Sequence, residues 1–146
     1  MKTNSERLVS PDLTYTASSP DELSLVNAAR FFGITFLGRD ESDNIELRFK
    51  GKLLSYKLLN LIEFNSTRKR MTTVLRDPEG QIIVMCKGAD SVLLPLIKDK
   101  IDLKVKNLIH KTATYLNEYA TSGLRTLVIA EKRMSETEYT EWNKKY

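Results

Sequence analysis

Apolar residues recur along this chain with two different periods, and the places where the period changes mark its elements. After a polar lead, Leu13-Thr-Tyr-Thr16 predicts a short strand. Ser18-Ser-Pro-Asp-Glu22 then supplies a cap serine, a proline in the first turn and two acids at the positive end of a helix dipole. Leu23, Leu25, Val26, Ala29 and Phe32 follow at helical spacing, and Gly33 stands where a left-handed C-terminal residue is wanted, so a helix is predicted over 20–32.

Extended runs come next, at 34–38 and 45–50, separated by the turn-rich segment Arg39–Asn44. A third, 55–64, ends on Phe64. Met71–Arg76 and Gln81–Lys87 flank Asp77-Pro-Glu-Gly80, whose second-position proline and fourth-position glycine suit a type I turn; this is the clearest hairpin in the chain. A short apolar helix is predicted over 89–97. A longer one follows over 103–120, where Leu103, Leu108, Ile109, Thr112, Leu116 and Tyr119 form a stripe against lysines elsewhere. Both helices are expected on the sheet. Gly123 ends the second, Leu124–Glu131 alternates as a last strand, and Ser135-Glu-Thr-Glu138 is a capping box for a helix still running at Tyr146. The order predicts an α+β fold, an antiparallel β-sheet flanked by helices. It also predicts a single domain over 1–146, with 1–12 a flexible lead and the last helix cut short.

Composition narrows the class. The 146 residues, 41% of them hydrophobic, suffice for one packed core. A net charge of +4 suits an anionic ligand but is no concentrated basic stripe of the kind a duplex-binding protein carries. Cys86 is the only cysteine and sits inside the apolar run Ile82–Cys86, so it is expected as a small buried hydrophobe in a reducing compartment. No run approaches the ~20 apolar residues that cross a bilayer, and the polar start has no signal-peptide core. A cytosolic location is expected, and in it the sequon Asn65-Ser66-Thr67 carries no glycan.

Four places carry candidate chemistry. Phe64 alone reads as core, yet the small polar and basic residues directly after it put the ring at a sheet end with one face open to stack on a flat base. Arg68, Lys69 and Arg70 read first as a solvated edge. Lys87 ends an apolar strand beside Gly88, which has no Cβ and lets a phosphate or base approach the backbone. Its alternative is a snorkelling side chain. Arg125, after Ser122-Gly-Leu124, opens a strand and can reach a phosphate or pair with a carboxylate. Asp21 and Glu22 are helix-starting acids first, though a carboxylate can also bind a base amine. His110 lies on a lysine-rich helix face with no nucleophilic partner pattern. The chain has no metal-ligand spacing, no Walker loop and no kinase signature, so the catalytic and metal sets are empty.

Ser18-Ser-Pro-Asp-Glu22, Phe64-Asn-Ser-Thr-Arg-Lys-Arg-Met71, Cys86-Lys-Gly-Ala-Asp90 and Gly123-Leu-Arg-Thr-Leu127 together resemble, over about 15–134, the nucleotide-binding (N) domain of P4-type ATPases, the phospholipid flippases. The Lys-Gly-Ala-Asp form favours lipid pumps over cation pumps. The resemblance implies that Phe64 stacks on adenine, Glu22 helps fix the base, Lys87 lines the adenosine pocket and Arg125 contacts the phosphates. Asp21, Ser66, Arg68 and Gly88 are supporting positions. It further implies ATP as ligand, with Mg2+ held by residues outside this chain, and delivery of the γ-phosphate to an aspartate in a separate phosphorylation domain. The Asp-Lys-Thr-Gly motif of that aspartate is absent here. The implied partners are the phosphorylation and actuator domains and an accessory membrane subunit, in an integral membrane protein whose cytosolic part this is. Two other readings stand beside it: a nucleotide-binding or regulatory module of a fusion such as a flippase-like guanylyl cyclase, and a nucleic-acid contact by the basic cluster. No nucleic acid is expected as a partner.

Overall fold

A computed structural model of the chain describes residues 13–97 and 102–146. Its strands form one six-stranded sheet in the order β1-β2-β3-β4-β5-β6: Ile34–Arg39, Asn44–Phe49, Lys52–Ile62, Arg70–Arg76, Ile82–Gly88 and Val128–Met134. Helices flank it: α1 (Pro20–Phe31), α2 (Asp90–Leu93, continued by a 3-10 turn over Leu94–Leu96), α3 (Leu103–Thr121) and α4 (Glu136–Asn143). The α+β antiparallel architecture is the one the hydrophobic pattern predicts. The lead 1–12 lies outside the described residues. The chain divides into two compact units, the described residues up to Leu58 with Asp77–Glu79, and Leu59–Arg76 with Gly80–Tyr146.

In the first unit α1 starts as predicted, with the Ser19 hydroxyl accepting from the Glu22 amide at 3.2 Å. It packs against β1. The predicted strand at Leu13–Thr16 is not formed, and side-chain hydrogen bonds tie this stretch to its neighbours. The Tyr15 hydroxyl donates to the Phe36 carbonyl at 2.9 Å, and Arg30 donates to the Leu13 carbonyl. β1 and β2 pair from Ile34↔Phe49 to Arg39↔Ile45, and β2 and β3 from Asn44↔Lys57 to Phe49↔Lys52.

The second unit holds the buried core. Val74, Leu75, Ile82, Ile83, Leu93 and Val128 are all buried. The Asp77–Gly80 turn closes β4 on β5 with Arg76 opposite Ile82, and β6 pairs along the other edge of β5 from Ile82↔Met134 to Gly88↔Val128. α2 packs on β5 and β6 and buries Leu93. Cys86 is half-buried rather than buried, its sulfur accepting from the Thr72 hydroxyl directly across the ladder at 3.1 Å.

Four further expectations are corrected. β3 begins three residues early, at Lys52, and stops at Ile62, leaving Phe64 beyond its end. The stripe of α3 is only partly covered: Ile109, Thr112 and Leu116 are half-buried, whereas Leu103 and Leu108 are 71% and 62% exposed. At about 100° per residue the first three fall within about 60° of one another and Leu103 about 120° away, too wide a set for one face. The last strand starts at Val128 instead of Leu124, since β5 offers pairing only as far as Gly88. α4 has its capping box but ends at Asn143. It is held to the sheet by Arg76, which donates twice to Glu136 at 2.8 and 2.9 Å, and by Asn60, which accepts from Tyr139 at 2.9 Å and donates to Asn143 at 3.1 Å.

Candidate functional site

The β4–β5 register decides what surrounds Lys87. Side chains directly opposite one another share a face, so Met71, Lys87 and Ile129 form one row across β4, β5 and β6. Lys87 is half-buried on an interior strand. Met71 beside it is half-buried, and Ile129 on the other side is 67% exposed. The row is thus a cation between two apolar side chains, open at one end. A flat, partly apolar group carrying negative charge fits such a surface.

The next row, Arg70–Gly88–Val128, is the end of the three strands. Two of the other predicted residues arrive at this end. Phe64 stands at the head of the loop that runs into Arg70, and its ring is 58% exposed, so it is no core residue. Arg125 lies three residues before Val128, in an irregular segment and not at the start of a strand as predicted, and it is exposed. Its position is set by the end of α3. Gly123 is left-handed (φ +77°), its amide donates to the Ala120 carbonyl at 3.0 Å, and the Leu124 amide donates to the Tyr119 carbonyl at 2.9 Å. That is the paired closure of a Schellman motif.

The loop carrying Phe64 is internally braced. The Asn65 side chain accepts from the Arg68 amide at 2.7 Å, and its carbonyl accepts from the Lys69 amide at 2.8 Å. Lys69 has the left-handed φ of +49°, which costs a non-glycine residue free energy and holds only where neighbours fix it. The Ala89 amide donates to the Lys69 carbonyl at 3.1 Å and ties the loop to the strand that bears Lys87. Arg68 donates to the Glu63 carbonyl at 3.2 Å and Arg70 to the Arg68 carbonyl at 3.4 Å, so both guanidinium groups brace the loop; Lys69 and Ser66 are exposed. Gly88 is buried, and the space beside it is filled by protein: a Cβ there would lie 2.5 Å from the Lys69 carbonyl oxygen and 2.7 Å from the Arg70 Cβ.

Asp21 and Glu22 are half-buried in the first turn of α1, in the other compact unit. Asn65, Met71 and Ile129 are site neighbours that the residue patterns did not single out. Met71 follows from counting back along the hairpin from its turn. Ile129 requires knowing that β6 lies beside β5. Among the described residues no three His, Cys, Asp or Glu side chains gather as a metal site. Nor is any described helix long and apolar enough to cross a membrane.

Residues 10–146 match the model of the P-type ATPase cytoplasmic domain N, and the chain belongs to that family. Within it, the chain is similar to phospholipid-transporting ATPases. It is 43% identical over 138 residues to phospholipid-transporting ATPase DNF1 of Chaetomium thermophilum, covering 93% of this chain and 8% of that protein. It is 44% identical over 138 residues to probable phospholipid-transporting ATPase 5 of Arabidopsis thaliana, 91% of this chain and 11% of that one. With human phospholipid-transporting ATPase ID the identity is 45% over 131 residues, 90% of this chain and 10% of that protein. The chain spans about a tenth of the length of these relatives.

Proposed function

We propose that this chain binds ATP as the N domain of a phospholipid-translocating P-type ATPase and positions it for phosphorylation of an aspartate in a separate domain. One observation carries the reading: the Phe64 loop, the Met71–Lys87–Ile129 row and Arg125 converge on the same end of β4, β5 and β6. Phe64 stacks on the adenine, Lys87 lines the adenosine pocket, and Arg125, an exposed guanidinium on a long side chain, contacts the phosphates. Glu22, with Asp21 next to it, is carried by the resemblance alone and stands as the partner of the base amine. Magnesium comes with ATP and is held by the nucleotide and by residues outside this chain. The parent protein, on this reading, is an integral membrane pump whose phosphorylation and actuator domains meet this one in the cytosol, with an accessory membrane subunit as a further partner.

The test is an NMR titration of the chain with ATP. Saturable shifts clustering on Phe64, Lys87 and Arg125, and on Glu22, are expected. No saturable shift at millimolar ATP would leave only the fold. The parent gene tests the transport part separately: an Asp-Lys-Thr-Gly motif and about ten membrane helices are expected, as the resemblance implies, whereas an appended cyclase domain would replace transport by regulation.

A further inference from the structure

We propose that Gly88 is a positioning residue for nucleotide binding: it acts through the loop that carries Phe64 and does not touch the ligand. The inference rests on the ATP-binding reading above. The other five glycines have positive φ and nothing within 4 Å of the absent side chain, so conformation explains them. Gly88 is the opposite case. It is not among the positive-φ residues, and a Cβ there would meet the Lys69 carbonyl oxygen at 2.5 Å, the Arg70 Cβ at 2.7 Å and the Arg70 Cα at 2.9 Å. Space, then, is what the glycine supplies, and the backbone of Lys69 and Arg70 fills it.

That backbone is the C-terminal anchor of the Phe64 loop. Lys69 is held in its left-handed conformation by its own amide on the Asn65 carbonyl, at 2.8 Å, and by its carbonyl on the Ala89 amide, at 3.1 Å. Asn65 directly follows Phe64. A methyl group at position 88 meets main-chain atoms, which cannot swing aside as a flexible side chain does, so the Lys69–Arg70 segment must lift from β5. The anchor moves, and Phe64 moves with it relative to Lys87, whose place in the β4–β5–β6 ladder is fixed by pairing on both sides. An aromatic platform displaced by even an ångström loses the overlap that makes stacking favourable.

The test is a double-mutant cycle on ATP affinity, measured calorimetrically on the chain as it stands and on Gly88→Ala, Phe64→Ala and the double variant. Gly88→Ala is expected to weaken ATP on the order of tenfold, the scale of the stacking it misplaces. In the Phe64→Ala background the same change is expected to alter affinity less than about twofold, because the ring through which it acts is gone. Equal losses in both backgrounds would assign Gly88 a contact of its own with the ligand and overturn the proposal, as would wild-type affinity in Gly88→Ala. If Gly88→Ala does not fold, the wild-type chain still decides. ATP should shift the Ala89 amide that reports the Lys69 carbonyl, and should leave it unmoved in Phe64→Ala; an unmoved Ala89 in the wild type, or equal shifts in both, overturns it. Absence of any ATP binding by the unmutated chain would instead remove the ATP reading itself, and is seen before any variant is made.

Discussion

Phe64 is 58% exposed on a loop whose turn is closed by its neighbour Asn65, an arrangement that presents a ring while leaving the core intact. Truncating it should therefore separate binding from folding. Phe64→Ala is expected to weaken ATP binding by about 1–3 kcal/mol with an unchanged far-UV spectrum and unfolding midpoint, while Phe64→Trp stays close to wild type. A folded Phe64→Ala chain with undiminished affinity would remove the stacking role. Lys87 permits a sharper comparison, because Lys104 and Lys111 on α3 carry the same charge and are exposed. At near-physiological salt the Debye length of about 8 Å screens distant charges, so geometry should outweigh charge count. Lys87→Ala is expected to lower ATP affinity far more than Lys104→Ala or Lys111→Ala in calorimetry. Equal losses at the three positions would reduce Lys87 to a contributor to the overall field.

Among the elements, α4 shows most directly how local sequence signals and tertiary contacts add. Ser135 and Glu138 form the capping box, and the Ser135 amide, followed by Lys132, holds the Glu138 carboxyl below its ordinary range. Glu136 is held down by the hydrogen bonds from Arg76, which itself is held more firmly protonated by the same contact. Both glutamates have folded-state values below their unfolded ones. The stabilisation is therefore complete above the ordinary glutamate range and is lost as pH falls through the depressed values. The unfolding midpoint should drop on acidification from about pH 7 to about pH 3, and Glu136→Gln, already lower at neutral pH, should drop less steeply. Parallel curves for the two proteins would show that the Arg76–Glu136 pair does not contribute to the acid sensitivity. Glu136 is exposed and Arg76 half-buried, so the pair contributes near the modest level of surface ion pairs.

For the molecule as a whole, the chain holds candidate groups to bind a nucleotide, and its sequence lacks the Asp-Lys-Thr-Gly motif of the phosphorylated aspartate. Incubation with γ-labelled ATP should give reversible binding with no covalent label and no released phosphate, since the Asp-Lys-Thr-Gly motif is absent from the sequence. Phosphate release at a rate that follows the concentration of purified chain would require a nucleophile or activated water within it. A competing oligonucleotide should not displace ATP at physiological salt, because Arg68 and Arg70 spend their guanidinium groups on the loop's own carbonyls.

Much of this was legible in the residues taken in order. The helix start at Ser19–Glu22, the Asp77–Gly80 hairpin, the α3 terminus at Gly123 and the capping box of α4 are all determined by interactions within a few residues, so local chemistry suffices. Residue patterns singled out the four candidate ligand residues, and motif resemblance supplied the family and the role of each. What local sequence does not contain is which strand lies beside which, and how far each pairs. Pairing ends at Gly88, so it denied Leu124 and Arg125 a strand, and β3 stops short of Phe64, so it put that ring on a loop. Where a strand was predicted at Leu13–Thr16, the stretch is instead tied by long-range side-chain bonds, Arg30 to the Leu13 carbonyl and Tyr15 to the Phe36 carbonyl. The meaning of Gly88 also came only from tertiary structure: a missing Cβ reads the same in any sequence, and whether it serves conformation, a ligand or a neighbouring backbone depends on the atoms that occupy the space it leaves.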